Sequence, residues 1–447
     1  MKIDLSRYRS AVAEIDTFRL NGRVKQVIGL VIEADGPSVS VGEVCLIEIP
    51  GSEPVRSEVV GFRDNSVLLM PLGVMHGISP GCPVVATGSP MRLKVGSALL
   101  GRVLNALGEP MDGKGPIREI DEISVENQPP LPLERRRITE VLPMGVRAID
   151  GCLTIGKGQR MGIFSGSGVG KSTLLGMICR NTTADVNVIA LIGERGREVK
   201  EFLERDLGDE GLKRSVVVCA TGDQPALIRI KGALTAHAIA EYFRDQGKDV
   251  NLLFDSVTRL AVAQREVGLA IGEPPTTRGY TPSVFALLPK LLERSGTNDR
   301  GTITGLYTVL VEADDMNEPV ADAIRAILDG HIVLSRDIAA KNHYPPIDVL
   351  TSVSRVMIDV VPKEHRQVAG KLRDILAVYA RAQDLIHIGA YVPGSDPKVD
   401  HAISMIDKIN EFLVQDIEEK SSYETTIARL LSLFDVKGGV VQSQIAN

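Results

Sequence analysis

Hydrophobic and polar residues follow different periods in successive parts of the chain. Over residues 1–20, apolar side chains recur at helical spacing with charged residues between them, at Leu5, Tyr8, Val12 and Ile15. This spacing predicts a short amphipathic helix. Its apolar face either packs on the rest of the chain or docks a partner, and the sequence leaves both interpretations open.

Residues 21–92 contain short β-rich runs separated by Gly, Pro, Asp and Asn, which predicts a small N-terminal β-barrel. The Pro80-Gly81 pair and the Gly88-Ser89-Pro90 run indicate where the barrel ends. The candidate strands are Arg23–Ile32, Glu43–Ile49, Ser57–Phe62 and Ser66–Met70.

Residues 93–370 alternate between strand and helix patterns, which predicts a mostly parallel sheet covered by helices on both faces. Its candidate strands are Arg160–Phe164, Val186–Ile192, Ser215–Thr221 and Val250–Asp255, and its clearest helices are Lys171–Arg180 and Pro225–Gln246. Residues 371–447 show mainly the 3.6-residue period, as at Ile403, Ile406, Ile409 and Leu413. This part is predicted to be a helical C-terminal domain with a frayed tail at residues 437–447.

Composition adds constraints on location and partners. The sequence has no run near the roughly 20 apolar residues of a membrane span, and its N-terminus lacks the apolar core of a signal peptide. We therefore expect a cytoplasmic protein with at most peripheral membrane contact. The five scattered cysteines are expected to be buried thiols, and a net charge of −6 gives no general attraction to nucleic acid.

The strongest chemical motif is a phosphate-binding loop, SGSGVGKST, which follows a predicted strand and opens a predicted helix. Its small residues let backbone N–H groups surround a phosphate at a helix N-terminus. Lys171 is placed to reach the β- and γ-phosphates of ATP, Ser172 to bind Mg²⁺ and Thr173 to contact the α-phosphate. The first position holds Ser instead of the usual Gly, a change that a small residue permits. The predicted nucleotide contacts are Ser165, Gly166, Ser167, Gly168, Val169, Gly170, Lys171, Ser172 and Thr173.

Hydrolysis of ATP needs a further Mg²⁺ ligand, a group that positions water, and a cation on the γ-phosphate. Asp255 ends an apolar strand, where such a ligand belongs. Glu194 follows the strand Val186–Ile192 and is a candidate for polarising water, although an exposed loop glutamate would look the same. Periodicity does not choose the cation among 51 Lys and Arg residues.

Together these motifs resemble the catalytic subunits of rotary ATP synthases. The segments GRVLNALGEP, SGSGVGKST, LIGERGRE and LLFDSVTR occur in that family's order, within about residues 21–371. The resemblance implies a β-barrel, a RecA-like P-loop ATPase domain of α/β class and a helical C-terminal domain in a six-membered ring. Within the superfamily, Gln264–Arg294, Thr308–Arg336 and His343–Met357 are similar to type III export ATPases, and Ile388–Pro397 looks more flagellar than virulence-type.

The same resemblance assigns roles by motif. Glu194 resembles the water-activating glutamate, Arg195 a γ-phosphate contact, and Glu198 an outer Mg²⁺ residue. Arg355 in SVSR resembles an arginine finger that reaches the neighbouring subunit's site. Tyr344 in HYPP resembles the aromatic wall beside adenine, and a loop tyrosine packed on the C-terminal domain is the alternative.

The implied function is that of the ATPase motor of flagellar protein export, working with ATP and Mg²⁺ as a homohexamer. The resemblance implies a cytoplasmic location peripheral to the inner membrane, a stator-like regulator on the N-terminal helix, and chaperone–substrate complexes delivered to an export gate. The alternatives are a virulence injectisome ATPase, a proton-coupled rotary subunit, a hexameric RNA helicase and a non-hydrolysing ATP sensor. A helicase needs aromatic side chains on which bases can stack. Phe62 is the only Phe, Tyr or Trp in residues 21–90. Glu194 argues against a sensor.

Overall fold

The computed structural model describes residues 21–118, 121–311 and 315–434. The predicted amphipathic helix at residues 1–20 and the predicted tail at 437–447 lie outside the described residues. Within the described parts, no helix is long and apolar enough to cross a membrane. All five cysteines are buried and free, which confirms the prediction of buried thiols.

The N-terminal part is a closed barrel of six antiparallel strands in the order β1-β2-β5-β4-β3-β6. Its interior is filled by fully buried apolar side chains such as Ile32, Ile47 and Leu69. The strands are β1 (Gly22–Ile28), β2 (Val31–Asp35), β3 (Glu43–Ile47), β4 (Val55–Arg63), β5 (Ser66–Pro71) and β6 (Pro83–Pro90).

One predicted strand of the barrel is wrong, and one strand of the barrel was not predicted. The run Arg23–Ile32 is two strands, because Gly29 adopts a φ of +59° and the chain turns back on itself there. Strand β6 was not predicted, although it ends at Pro90, where the Gly88-Ser89-Pro90 run was expected to end the barrel. Proline is tolerated at the first and last positions of a strand, where a missing N–H costs little, so the two prolines of β6 do not prevent its pairing with β1 and β3.

The central part is a nine-stranded sheet with the path β17-β16-β10-β15-β13-β11-β12-β8, and β14 pairs with β15. The inner pairs are parallel, and β17 runs antiparallel to β16 at one edge. Strands β7 and β9 form a separate ribbon. The strands are β7 (Arg92–Val95), β8 (Arg102–Asn105), β9 (Asp121–Ser124), β10 (Arg160–Ser165), β11 (Val186–Ile192), β12 (Ser215–Ala220), β13 (Asp249–Asp255), β14 (Gly296–Thr297), β15 (Thr302–Leu310), β16 (Gly330–Leu334) and β17 (Ile347–Ser354).

Helices cover both faces of this sheet. Successive residues of β11 belong to two different cores, Ile189 and Leu191 on one face and Ala190 and Ile192 on the other. Burial on both faces explains the continuous apolar runs in the sequence. The helices are Arg147–Cys152, Lys171–Asn181, Gly196–Glu201, Gly208–Lys213, Ala226–Asp245, Val257–Ile271, Pro282–Leu292, Pro319–Ile327, Arg336–Ala340 and Met357–Val360, with a π-helical turn at Phe202–Leu207 and 3₁₀ turns at Ser97–Leu99, Pro132–Glu134 and Thr277–Gly279.

The C-terminal part is helical and packs on the core that contains the phosphate-loop helix. Its helices are Lys363–His387, Pro397–Leu413 and Tyr423–Ser432. The boundary predicted at 370/371 falls inside the first of these helices. Of the predicted apolar stripe, Ile409 and Leu413 are buried, whereas Ile403 is 37% exposed and Ala402 and Met405 are buried on the adjacent turns. The three-part fold class predicted from the sequence is confirmed.

Candidate functional site

The phosphate loop joins the end of strand β10 to the helix Lys171–Asn181, in the middle of the parallel sheet. Gly168 and Gly170 have φ values of +78° and +96°, conformations that side-chain-bearing residues rarely adopt. These turns expose the loop at Ser167 and Gly168. Lys171, Ser172 and Thr173 form the first helical turn and are partly buried. The loop therefore presents N–H groups and the positive end of a helix to the same place.

Lys171, Asp255 and Glu194 come together from three separate elements. The Lys171 ammonium contacts Asp255 Oδ1 and lies 3.5 Å from Glu194 Oε1. Asp255 ends β13, and Glu194 follows the adjacent strand β11. Thr308 on the neighbouring strand β15 donates a hydrogen bond of 2.7 Å from Oγ1 to Asp255 Oδ1. The cluster thus lies at the carboxyl edge of the sheet, where parallel α/β proteins bind ligands.

Within this cluster, the pKa values of Glu194 and Lys171 are both raised. Burial, followed by the charge of Asp255, raises the pKa of Glu194 to about 7, although Lys171 opposes the change. A hydrogen bond with Glu198 raises it further. Burial alone would lower the pKa of Lys171, but attraction to Asp255 and Glu194 outweighs it, so the Lys171 pKa is raised. A carboxyl group that titrates near neutrality is suited to accept a proton from water at physiological pH.

The predicted Mg²⁺ residues supply a suitable set of donors. Ser172, Asp255 and Glu198 offer hydroxyl and carboxylate oxygens, the ligands that this hard cation prefers. Ser172 lies in the first turn after the phosphate loop, and Glu198 in the first turn of the helix Gly196–Glu201. Arg195 lies outside the buried cluster, because its side chain is 76% exposed with its guanidinium 3.6 Å from Glu198.

Tyr344 lines a cavity of about 190 Å³ on the other side of the phosphate loop. The cavity is largely apolar, as expected for a site that holds a planar base. Its remaining walls come from the phosphate loop and its helix, from the two prolines after Tyr344, and from the segment after helix Pro397–Leu413; they are Gly170, Thr173, Leu174, Met177, Pro345, Pro346, Gln415 and Ile417.

Gln415 ties this C-terminal segment to the ATPase domain. Its backbone N–H donates to Tyr344 O at 2.9 Å, and its side-chain Nε2 donates to Gly145 O at 2.9 Å. Its Oε1 accepts from the backbone N–H of Arg147 at 2.8 Å. Sequence reasoning missed Gln415 and Ile417 as wall residues because no local pattern connects them to the distant phosphate loop. It also missed Thr308, whose one visible sign is a hydroxyl residue inside a buried strand.

Arg355 lies far from the phosphate loop of its own chain. It follows β17 at the sheet edge, and its N–H donates to Asp329 O at 3.0 Å. Asp329 in turn accepts a bond from the backbone N–H of Arg160, at the start of β10. Ser165 ends the same strand, about 16 Å away at roughly 3.3 Å per residue. That separation exceeds the reach of an arginine side chain. If the exposed Arg355 contacts a phosphate, that phosphate is therefore bound by another molecule and not by the loop of the same chain.

Comparison with known proteins places these features in a family. The profile of the ATP synthase alpha/beta family nucleotide-binding domain matches residues 145–354, and that of the family's beta-barrel domain matches residues 24–88. The profile of the T3SS EscN ATPase C-terminal domain matches residues 361–432.

Curated relatives match nearly the whole chain. The flagellum-specific ATP synthase of Bacillus subtilis (strain 168) is 56% identical, over 94% of this chain and 96% of that protein. The flagellum-specific ATP synthase of Treponema pallidum (strain Nichols) is 53% identical, over 96% of each.

Solved structures agree with this chain in fold as well as sequence. The assembled ATPase EscN from the enteropathogenic E. coli type III secretion system superposes with a TM-score of 0.88 at 47% identity, over 92% of this chain and 99% of that one. EscN in complex with its central stalk EscO gives a TM-score of 0.86 at 46% identity, with the same coverage.

Proposed function

This chain belongs to the family of flagellum-specific ATP synthases and type 3 secretion ATPases and is an ATP-hydrolysing enzyme, and we propose that it drives protein export in a flagellar apparatus. The observation that supports ATP hydrolysis is the buried Lys171–Asp255–Glu194 cluster at the phosphate loop. The flagellar role is supported by the 56% and 53% identity to flagellum-specific ATP synthases. The injectisome, rotary-subunit and helicase alternatives are not favoured.

In the proposed reaction, water attacks the γ-phosphorus of ATP and the bond to the ADP oxygen breaks, which releases ADP and phosphate. Glu194 accepts the proton of the attacking water, for which a pKa of about 7 suits it. Lys171 leaves the carboxylates for the phosphate oxygens, and the loop N–H groups hold the β-phosphate. Ser172, Asp255 and Glu198 would hold Mg²⁺, which neutralises phosphate charge when bound.

The base would lie in the cavity beside Tyr344, and Arg195 and Arg355 would complete the phosphate contacts. Arg195 follows Glu194 directly in the chain, and its side chain is 76% exposed. Arg355 would act on the site of an adjacent copy, which supports a homohexamer with shared sites and agrees with the assembled EscN relative.

The remaining partners are proposed from the relatives. EscN is known with its central stalk EscO, and we expect a stalk-like partner here. A stator-like regulator would bind the amphipathic segment at residues 1–20. The enzyme would bind chaperone–substrate complexes and an export gate at the cytoplasmic face of the inner membrane, and its own contact with the membrane would be peripheral.

Mixing two inactive variants tests the shared site directly. Lys171→Ala removes the phosphate-loop cation and Arg355→Ala removes the finger, so each homomeric protein should be nearly inactive. In mixed rings, an intact phosphate loop from the Arg355→Ala chain can meet an intact Arg355 from the Lys171→Ala chain. We expect mixing to restore part of the ATPase activity. Arg355→Ala protein with near-normal turnover, or mixtures as inactive as either variant although they co-assemble, would overturn the shared site.

A further inference from the structure

A second and larger cavity lies behind the start of the phosphate loop. It measures about 440 Å³ and runs between strands β10, β16 and β17. Its lining joins the first loop residue, Ser165, to three basic side chains, Arg325, His331 and Arg336. Of the predicted nucleotide and Mg²⁺ residues, only Ser165 lines this cavity.

Arg336 packs directly on the phosphate loop at Gly166. A Cβ added to Gly166 would lie 2.5 Å from Nη2, 2.6 Å from Nε and 2.9 Å from Cζ of Arg336. The guanidinium therefore covers the α-carbon of Gly166 so closely that a side chain there would displace it. Ser335 fixes the start of the helix Arg336–Ala340, since its Oγ accepts a bond from the backbone N–H of Ile338. The backbone that carries Arg336 is thus anchored beside the loop.

Unused hydrogen-bonding capacity is concentrated at this contact. The side chain of Arg336 is exposed to solvent and makes no hydrogen bond or ion pair with any described residue. The Oγ of Ser165 is buried, with 2% of the residue exposed, and has no hydrogen-bond partner within the described parts. In contrast, Arg325 in the same cavity already pairs with Asp322 at 2.8 Å. An unpaired guanidinium against a loop that binds phosphate is a ready source of positive potential.

The acidic residues of the cavity do not neutralise Arg336. Asp348 uses Oδ1 to accept bonds from the backbone N–H groups of Leu350 and Thr351. Asp337 is an exposed residue in the first turn of the helix Arg336–Ala340, where it faces the positive end of that helix.

We propose that Arg336 is a positioning residue for ATP: it holds the loop at Gly166 and adds positive charge to the phosphate site from behind. This inference rests on the proposed ATP hydrolysis and deepens it. Because the contact is to the loop, ATP and ADP should depend on Arg336 alike, while AMP, which lacks the β-phosphate that the loop surrounds, should not.

The test compares Arg336→Met, Arg336→Lys and the matched control Arg325→Met in the full chain. Met keeps an unbranched stem and removes the charge, and Lys restores the charge. We expect Arg336→Met to raise the Kd for ATP and ADP about tenfold, as one charge-assisted contact would. The Kd for AMP should stay within about twofold, KM should rise more than kcat falls, and Arg336→Lys should recover most of the affinity. Arg325→Met should bind like the wild type.

A double-mutant cycle identifies the route through the loop. Gly166→Ala should weaken ATP binding strongly in the wild type and less in the Arg336→Met background, because the flexible Met can move away from the new methyl group. Additive effects would overturn the proposed contact. ATP binding by Arg336→Met within twofold of an active wild type would overturn the proposal alone, whereas a wild type without ATPase activity would overturn the proposed function.

Discussion

Replacing Glu194 with Gln is expected to stabilise the protein while it abolishes turnover. The Glu194 pKa rises from 4.5 to about 7 in the folded chain, chiefly through burial and then through repulsion from Asp255. The folded state therefore holds a proton that the unfolded state releases between these values, so stability falls as pH rises through that range. Gln keeps the shape of the side chain and removes the ionisation.

The magnitude follows from the size of the shift. Each unit of pKa corresponds to about 1.4 kcal/mol, so the full penalty above pH 7 is at most about 3 kcal/mol. The pKa of about 7 already includes the attraction of Lys171, and we expect Glu194→Gln to gain roughly 1 to 3 kcal/mol at about pH 8. Near pH 5 the wild-type carboxyl is already protonated in the folded state, so the gain should nearly vanish.

Urea unfolding without added nucleotide, followed by far-UV circular dichroism, measures this difference in a chain that contains no Trp. Glu204→Gln is the matched control, because the Glu204 side chain is 69% exposed and its ion pair with Lys200 spans 3.7 Å. Its stability should follow that of the wild type at both pH values. A Glu194→Gln protein that is destabilised at about pH 8, or stabilised equally at both pH values, would refute the assignment of a raised pKa.

Three further substitutions test the site and its support. Lys171→Ala should abolish both ATP binding and turnover, because it removes the ammonium group that binds the phosphates and leaves the buried Asp255 without its ion-pair partner. Retained binding in an equilibrium nucleotide assay would contradict this role. Tyr344→Ala should raise the Kd for ATP about 10- to 100-fold and Tyr344→Phe should restore it, since base stacking contributes about 1–3 kcal/mol; equal affinities would leave Tyr344 a packing residue. Lys231→Met should cost about 3–5 kcal/mol in urea unfolding, because Lys231 lies 2.6 Å from the buried Glu58 and its loss leaves that carboxylate unpaired. Adding Glu58→Gln should recover much of that loss, and an additive second loss would be inconsistent with the pair.

The parts of the fold that could be predicted are those with strong local patterns. Strand β11 matches its prediction residue for residue, and the phosphate loop lies between strand and helix as its motif requires. The segment Pro83–Pro90 was not predicted as a strand, because its prolines and Gly88 are typical of turns. Only its neighbours β1 and β3 in the closed barrel make it a strand.

The residues of the candidate site likewise differ in whether a local sequence pattern identifies them. Asp255 and Glu194 lie at strand ends and Lys171 begins the helix after the phosphate loop, positions that the sequence displays, and the parallel sheet brings them together. No local sequence pattern identifies Gln415 or Arg336, because they come close to the loop only through the packing of elements that are distant in the sequence. Tyr344 and Arg355 entered the predicted site through family resemblance alone, and the adenine-binding role of Tyr344 and the catalytic role of Arg355 stay predictions.

The cavity beside Tyr344 has walls from two domains, and this division has a thermodynamic consequence. Gln415 and Ile417 belong to the C-terminal helical part, while Gly170 and Thr173 belong to the phosphate loop. If the base binds in this cavity as proposed, any displacement of the C-terminal helices that reshapes the cavity must change the affinity for the base, and a bound base must resist that displacement by the same factor. A force on those helices would then change the affinity for nucleotide, and nucleotide release would change the position of the helices. The free energy of this coupling can be measured as the change in nucleotide Kd when the helices are displaced.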